Sequence, residues 1–178
     1  ALLHEGHVVA VALVAREGGL SADRRRRMYE GRRVRGNMLP DLLTSQLRDE
    51  QAAKPIGVRV LRIATHHAVR SRGLGSKLIH AIASEMSAGG AWPGAVDYLG
   101  VGYGATPDLL RFWCANGFQS VHLSTTVNDR SGEHSALMIR PLTMAGQNLC
   151  NRSMAFLLSR FPSVLGDALR TADPDVVR

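Results

Sequence analysis

The stretch VRVLRIATHHAVRSRGLGSKLIHAIASEM, residues 58–86, changes its periodicity partway along. Residues 58–65 are rich in β-branched types, with Arg59 and Arg62 breaking the apolar run, which predicts a strand. Leu78, Ile79, Ile82 and Met86 recur at helical spacing. Between them lies Arg70-Ser71-Arg72-Gly73-Leu74-Gly75-Ser76. Two glycines at the mouth of a helix let backbone N–H groups approach an anion with no side chain in the way. The helix N-terminus adds unpaired donors and a partial positive charge. The stretch therefore predicts a strand–loop–helix unit that holds a phosphate-bearing cofactor.

The spacing narrows the choice of cofactor. A Walker loop needs GxxxxGK[ST]; here the glycines stand too close and no Gly-Lys-Ser/Thr follows. A dinucleotide fingerprint needs a third glycine, which residues 73–78 lack. What remains, (Q/R)xxGx(G/A) between a strand and a helix, resembles the pyrophosphate loop of the GNAT acetyltransferases, which bind acetyl-CoA.

Outward from this unit, residues 8–15 (VVAVALVA) read as a buried strand, and Ser21 or Asp23 could cap a short helix. Residues 31–40 form a basic loop. Residues 41–48 make a second short helix, and residues 49–57 a polar linker. Beyond the unit, residues 87–94 are a Gly/Pro turn and residues 96–101 a strand. That strand ends in Gly100-Val101-Gly102-Tyr103-Gly104, where glycine signals a bulge or a close approach by ligand or backbone. Thr106, Pro107 and Asp108 start a helix with Leu109, Leu110, Phe112 and Trp113 as its buried face, ended by Asn116-Gly117. Residues 118–126 and 134–140 pair as strands across the turn at 128–132. After Pro141, Met154, Leu157, Leu158 and Phe161 mark an amphipathic helix broken by Pro162, followed by another short helix. Residues 173–175 look like the start of a third.

A chain of 178 residues is about one domain, and 45% apolar residues suffice for a core. Cys114 and Cys150 show neither metal-ligand spacing nor a disulfide framework, and no apolar run approaches a membrane span. These features give a cytoplasmic protein without metal as the expectation; nothing fixes an oligomeric state. His66 and His67 are adjacent, so they face opposite ways in an extended chain and make no metal pair. Of the net charge of +7, residues 16–35 hold +5, with eight Arg against three acids. So concentrated a patch suggests a polyanionic partner, most simply nucleic acid. A solvated helix face is the plainer use of such charges.

Six blocks in order point to one family. They are residues 36–40 (GNMLP), 62–66 (RIATH), 70–76 (RSRGLGS), 98–106 (YLGVGYGAT), 110–113 (LRFW) with 116–118 (NGF), and 131–136 (SGEHSA). Together they resemble the acetyltransferase part of the tRNA(Met) cytidine acetyltransferase family, whose members make N4-acetylcytidine in tRNA or rRNA. The resemblance implies a GNAT-type α/β fold: a mixed, mostly antiparallel sheet flanked by helices. It implies an acetyltransferase domain over residues 1–142, short of its first strand. Residues 143–178 are similar to the start of that family's helical RNA-binding tail. Tyr103 departs from the usual Phe, and Ala115 stands where some members carry Arg. The family's upstream ATP-hydrolysing module is not in this chain, so an ATP-coupled step would lie outside it. The chain accordingly reads as a fragment, with a compact free-standing relative as the alternative.

By the same resemblance, acetyl-CoA contacts Ile63, Ala64 and Thr65, the loop residues Arg70, Ser71, Arg72, Gly73, Leu74, Gly75 and Ser76, and Asp108. A backbone N–H near Ala64 and Thr65 would polarise the thioester, and the end of the glycine-rich strand would form the gap for the pantetheine arm. His134, with Glu133 beside it, is the candidate proton-transfer group, and Asn37 is a candidate partner of the cytosine edge. His134 could equally just begin a strand, and Asn37 just tolerate a turn. Arg24, Arg25, Arg26, Arg27, Arg32, Arg33 and Arg35 are candidates for RNA phosphate contacts, with tRNA the expected partner. Cys114 lacks an activating partner for a covalent role. Two other readings stand beside this one: an acetyltransferase for a protein or small-molecule amine, and a non-catalytic RNA-binding module of the same fold.

Overall fold

The computed structural model describes residues 1–89, 94–129 and 131–177. The proposed turn at 87–94 and the hairpin at 128–132 thus lie partly outside the described residues, at 90–93 and Arg130. The sheet has six strands: β1 (Leu2–His4), β2 (His7–Gly18), β3 (Ile56–Thr65), β4 (Tyr98–Gly104), β5 (Gln119–Val127) and β6 (His134–Pro141). Their order is β1-β2-β3-β4-β6-β5, and only β3 and β4 run parallel. The helices are α1 (Ala22–Tyr29), α2 (Met38–Leu47), α3 (Leu74–Ser87), α4 (Pro107–Ala115), α5 (Met144–Leu165) and α6 (Pro174–Val177).

The alternation of strand side chains builds two cores. On one face Val58, Val60, Leu99, Val101 and Met138 meet Ile79, Ala83 and Met86 of α3 and Trp113 of α4. On the other, Tyr98, Leu137 and Ile139 meet Leu39 and Leu43 of α2 and Leu149 and Cys150 of α5. Asp97 ties the base of the sheet together. Its carboxylate accepts from Ile56 N (2.8 Å) and from the Thr143 hydroxyl (2.6 Å), while its carbonyl accepts from Leu142 N and Thr143 N.

Several expectations need correction. A short strand that the sequence reading did not place, Leu2–His4, pairs with β2 through a tight turn at Glu5 and Gly6, both at positive φ. Residues 8–15 are not a buried strand: Val11 and Leu13, on the face away from α3, are exposed with no helix over them among the described residues, and Val8 is exposed near the strand's start. The supposed linker contains a 3₁₀ turn, Glu50–Ala53, whose Ala52 and Ala53 are fully buried. Leu109 is exposed; Trp113 carries the buried face of α4. Pro162 does not end a helix, and the helix starts ten residues before Met154, capped by Thr143. Its buried side is Gly146, Leu149, Cys150 and Ser153, whereas Leu158 is exposed.

Candidate active site

β3 and β4 pair from Gly57 with Tyr98 up to Val60 with Val101, and there the pairing ends. β3 continues to Thr65 against β2, and β4 continues to Gly104 against β6. Leu61 is an extra residue in β3, since Leu13 pairs with Arg62 but Val14 with Val60. Such a bulge bends the strand and increases its twist, so the two strands part at this point. The β4-facing backbone groups of residues 61–65 are left without a strand partner.

Ile63 packs toward the α3 core, and the Thr65 hydroxyl oxygen lies close to Gly75. Ala64 and Arg62 are exposed on the opposite face. The chain then turns through His67–Val69 into the loop. Gly73 is the N-cap of α3 at φ +73°, and no side chain caps the helix there. The first N–H groups of α3 therefore stay free for an anion. Gly75 leaves room for the Phe112 ring of α4, and Asn116 donates from Nδ2 to the Ser76 hydroxyl (3.1 Å). Arg70, Ser71 and Arg72 are exposed around the loop, and Leu74 is half-buried. α4 thus clamps the loop through Phe112 and Asn116. Asp108, on its first turn, points to solvent and pairs with Arg111.

The glycines of β4 make room for this chain's own side chains. A Cβ at Gly100 would overlap Leu39, one at Gly102 would crowd Leu137 and Met38, and one at Gly104 would overlap the Glu133 carboxylate. Tyr103 faces the other way and donates its O–H to Met138 Sδ (3.0 Å). Burial, with Cys114 adding to it, holds its phenol protonated well above the ordinary range.

His134 is 7% exposed, and its ring Nδ1 lies 2.9 Å from the Ser124 carbonyl. A carbonyl only accepts, so Nδ1 is the protonated nitrogen. Asn37 is a correction. Its Oδ1 accepts from Gly18 N (2.8 Å) and its Nδ2 donates to Arg35 O (3.1 Å) and Val34 O (3.4 Å). With its amide committed to the backbone around α2's start, Asn37 is not available to a cytosine edge. The histidine reading also changes: His66 caps a 3₁₀ turn that begins at His67, so the two rings do not face opposite ways but lie 4.4 Å apart.

The arginine cluster divides. Arg25 turns inward and donates from Nη1 to the Leu20 carbonyl (2.8 Å). Arg27 pairs with Asp23 at 3.1 Å, and Arg33 lies 3.7 Å from Asp41. Arg24, Arg26, Arg32 and Arg35 are exposed, without an ion pair among the described residues.

Glu17 escaped the sequence reading. Its side chain is 2% exposed, with Oε1 2.6 Å from Arg59 Nε and Oε2 accepting from Leu39 N (2.9 Å). The carboxylate fastens the start of α2 over the point where β3 and β4 part. Its signal in the sequence was slight, since Glu17 follows Arg16 just past the apolar run at 8–15.

The profile described as GNAT acetyltransferase 2 matches this sequence over residues 5–91 and 85–143. The chain belongs to the GNAT acetyltransferase 2 family. The match ends at the N-cap of α5, although the first turns of α5 pack into the core. A relative from Haloferax volcanii named tRNA(Met) cytidine acetyltransferase is 61% identical over the whole chain. One of the same name from Pyrococcus furiosus is 35% identical over 99% of it. The chain spans 23% and 21% of the length of these two relatives. Among solved structures, the ribosomal-protein-S18-alanine N-acetyltransferase from Escherichia coli superposes with a TM-score of 0.49. It is 16% identical, over 82% of this chain and 69% of that one. Among the described residues no cluster of metal-ligating side chains occurs, and no helix is long and apolar enough to cross a membrane.

Proposed function

We propose that this chain is the acetyltransferase portion of an enzyme that transfers acetyl from acetyl-CoA to the N4 amine of a cytidine in tRNA. The parting of β3 and β4 beside an uncapped helix mouth carries the reading. It offers a slot edged by backbone without a strand partner on the β4 side, next to a helix mouth suited to an anion, which fits a pantetheine arm and its pyrophosphate. The end-to-end similarity to tRNA(Met) cytidine acetyltransferases supports the choice of acceptor.

The residues present fit acetyl-CoA. Free N–H groups of Leu74, Gly75 and Ser76 suit the pyrophosphate, with Arg70 and Arg72 close by in sequence for its charge. Backbone groups of residues 63–65 would hold the thioester end, an N–H among them polarising its carbonyl. Bound there, acetyl-CoA supplies an activated acetyl group. Arg24, Arg26, Arg32 and Arg35 are the cations free to meet RNA phosphates, and the α5–α6 tail would extend that contact. Asp108, tied to Arg111, is the least supported of the cofactor contacts. Any ATP-driven step belongs to parts of the parent enzyme outside these residues.

The test is incubation of the parent enzyme with labelled acetyl-CoA, ATP and total RNA, followed by nucleoside analysis. N4-acetylcytidine is the expected labelled product. Label in protein or in a small amine, with none in cytidine, overturns the reading in favour of another amine acceptor. Failure to bind acetyl-CoA at millimolar concentration leaves a non-catalytic RNA-binding module.

A further inference from the structure

We infer that Glu133 is the group that receives the proton of the acceptor amine, on the sheet face opposite the acetyl-donor loop. The inference rests on the functional reading above and assigns a residue to its acceptor step.

The pairing of β3 and β4 ends at Val60 and Val101, and a parting of strands within a sheet lies between its two faces. α3 and α4 occupy one face, so the donor loop lies on that side. The amine must then approach the acetyl carbon from the other, the α2 face. There the tail of β3 is uncovered: Arg62 and Ala64 are exposed, as are their β2 partners Leu13 and Val11.

Strand alternation and the glycines of β4 place the two candidates on different faces. β6 pairs with β4 without a register shift from Pro141 to Ser135. Leu137 and Ile139 point to the α2 core and Met138 to the α3 core. Glu133 precedes β6 in the β5–β6 turn, and its contact with Gly104 sets it on the α2 face, where Gly100 and Gly102 meet Leu39 and Met38. Its carboxylate lies on Gly104, the last residue of β4, so closely that a Cβ there would overlap Oε2. His134 follows the even series to the other face and is buried against the Ser124 carbonyl.

The Glu133 carboxylate has no ion pair or hydrogen bond among the described residues; only its backbone is engaged. It borders a cavity of about 450 Å³ that His134 borders too, with Thr106, Pro107, Val127 and Asp173. Of the two candidates, His134 is engaged with the Ser124 carbonyl, and only the Glu133 side chain is without a hydrogen-bond partner among the described residues. A base swung out of its stack could enter there, and a carboxylate is a natural acceptor for the cytosine amine.

The step balances as follows. The N4 nitrogen forms the bond to the acetyl carbon while the C–S bond breaks. The proton leaving N4 passes to the Glu133 carboxylate, and the departing thiolate takes a proton from solvent. Because the N4 lone pair is delocalised into the ring, a positioned proton acceptor assists most as that bond forms.

The test uses the parent enzyme. E133Q is expected to lower kcat about 100-fold or more, while the acetyl-CoA Kd by calorimetry and the RNA Kd by fluorescence anisotropy stay within about threefold of wild type, the spread one weak contact allows. E133A supplied with formate is expected to regain rate in proportion to formate, which a packing role would not produce. A kcat for E133Q within about tenfold of wild type, below the usual range for a general base, overturns the inference. So does a loss in E133A that formate leaves unchanged. Should both variants fail to fold, G104A decides, since its methyl displaces the carboxylate without removing it. Lost kcat with retained acetyl-CoA binding supports the inference, and an unchanged kcat overturns it. A wild-type enzyme that forms no N4-acetylcytidine overturns the functional reading and this inference together. An active wild type with an unaffected E133Q overturns this inference alone.

Discussion

The two faces of the parted strands are assembled differently. On the α3 face, nearly everything that would meet acetyl-CoA lies within residues 63–76, one strand end, one loop and one helix start. On the α2 face, Glu17 comes from β2, Arg59 from β3, Leu39 from α2, Gly104 from β4 and Glu133 from the β5–β6 turn. A ligand met by backbone donors can be served by a short local motif. An acceptor met by side chains needs groups that only chain folding brings together.

The largest effect that tests this contrast is expected at Glu17. E17Q leaves Arg59 without its buried partner, which costs about 3–5 kcal/mol. Urea unfolding should show that loss, while acetyl-CoA affinity measured on the folded fraction stays near wild type. A loss under about 1 kcal/mol, the range of an exposed pair, would break the claim that this ion pair holds the α2 face.

An intermediate effect is expected on the other face. Gly73 sits at φ +73° with open space around it, so G73A introduces no clash and only conformational strain. About 1–2 kcal/mol of strain in the αL conformation should weaken acetyl-CoA binding by roughly tenfold, read by calorimetry, with kcat at saturation unchanged. Unchanged affinity would mean that the loop does not hold the donor in this conformation.

The smallest effect concerns pH. Burial, with the Arg160 charge adding to it, lowers the pKa of His122 in the folded chain. Below about pH 6.5, the ordinary histidine value, the unfolded chain then binds more protons than the folded one, so stability falls as pH falls. Melting temperature should drop from pH 7.5 toward 5.5, and H122Q should flatten that slope. An equal slope in H122Q would assign it to another group.

Much of the fold was legible because local rules governed it. The change from period two to helical spacing around Gly73 located β3 and α3, and Thr106-Pro107 located the start of α4. Other features were not legible because tertiary packing overrode the local signal. The apolar run at 8–15 suggested burial, yet Val11 and Leu13, on the face away from the α3 core, are exposed. Pro162 suggested a break, yet α5 runs through it to Leu165. Asn37 looked like a base-reading amide, yet it closes the turn between Gly18 and Arg35. The glycines of β4 suggested a close approach, and the approaching atoms belong to Leu39, Leu137 and Glu133.

By itself the sequence determined the strand–loop–helix unit and the glycine at its helix mouth, because both depend on residues near one another and on the backbone donors that any helix start provides. Only the tertiary structure decided which face each candidate looks into. Glu133 and His134 are neighbours in sequence, yet the turn before β6 lays the Glu133 carboxylate on Gly104 while the strand buries His134 against the Ser124 carbonyl. Which of those sides meets the donor loop and which meets α2 is fixed by the packing of α2, α3, α4 and α5 around β4.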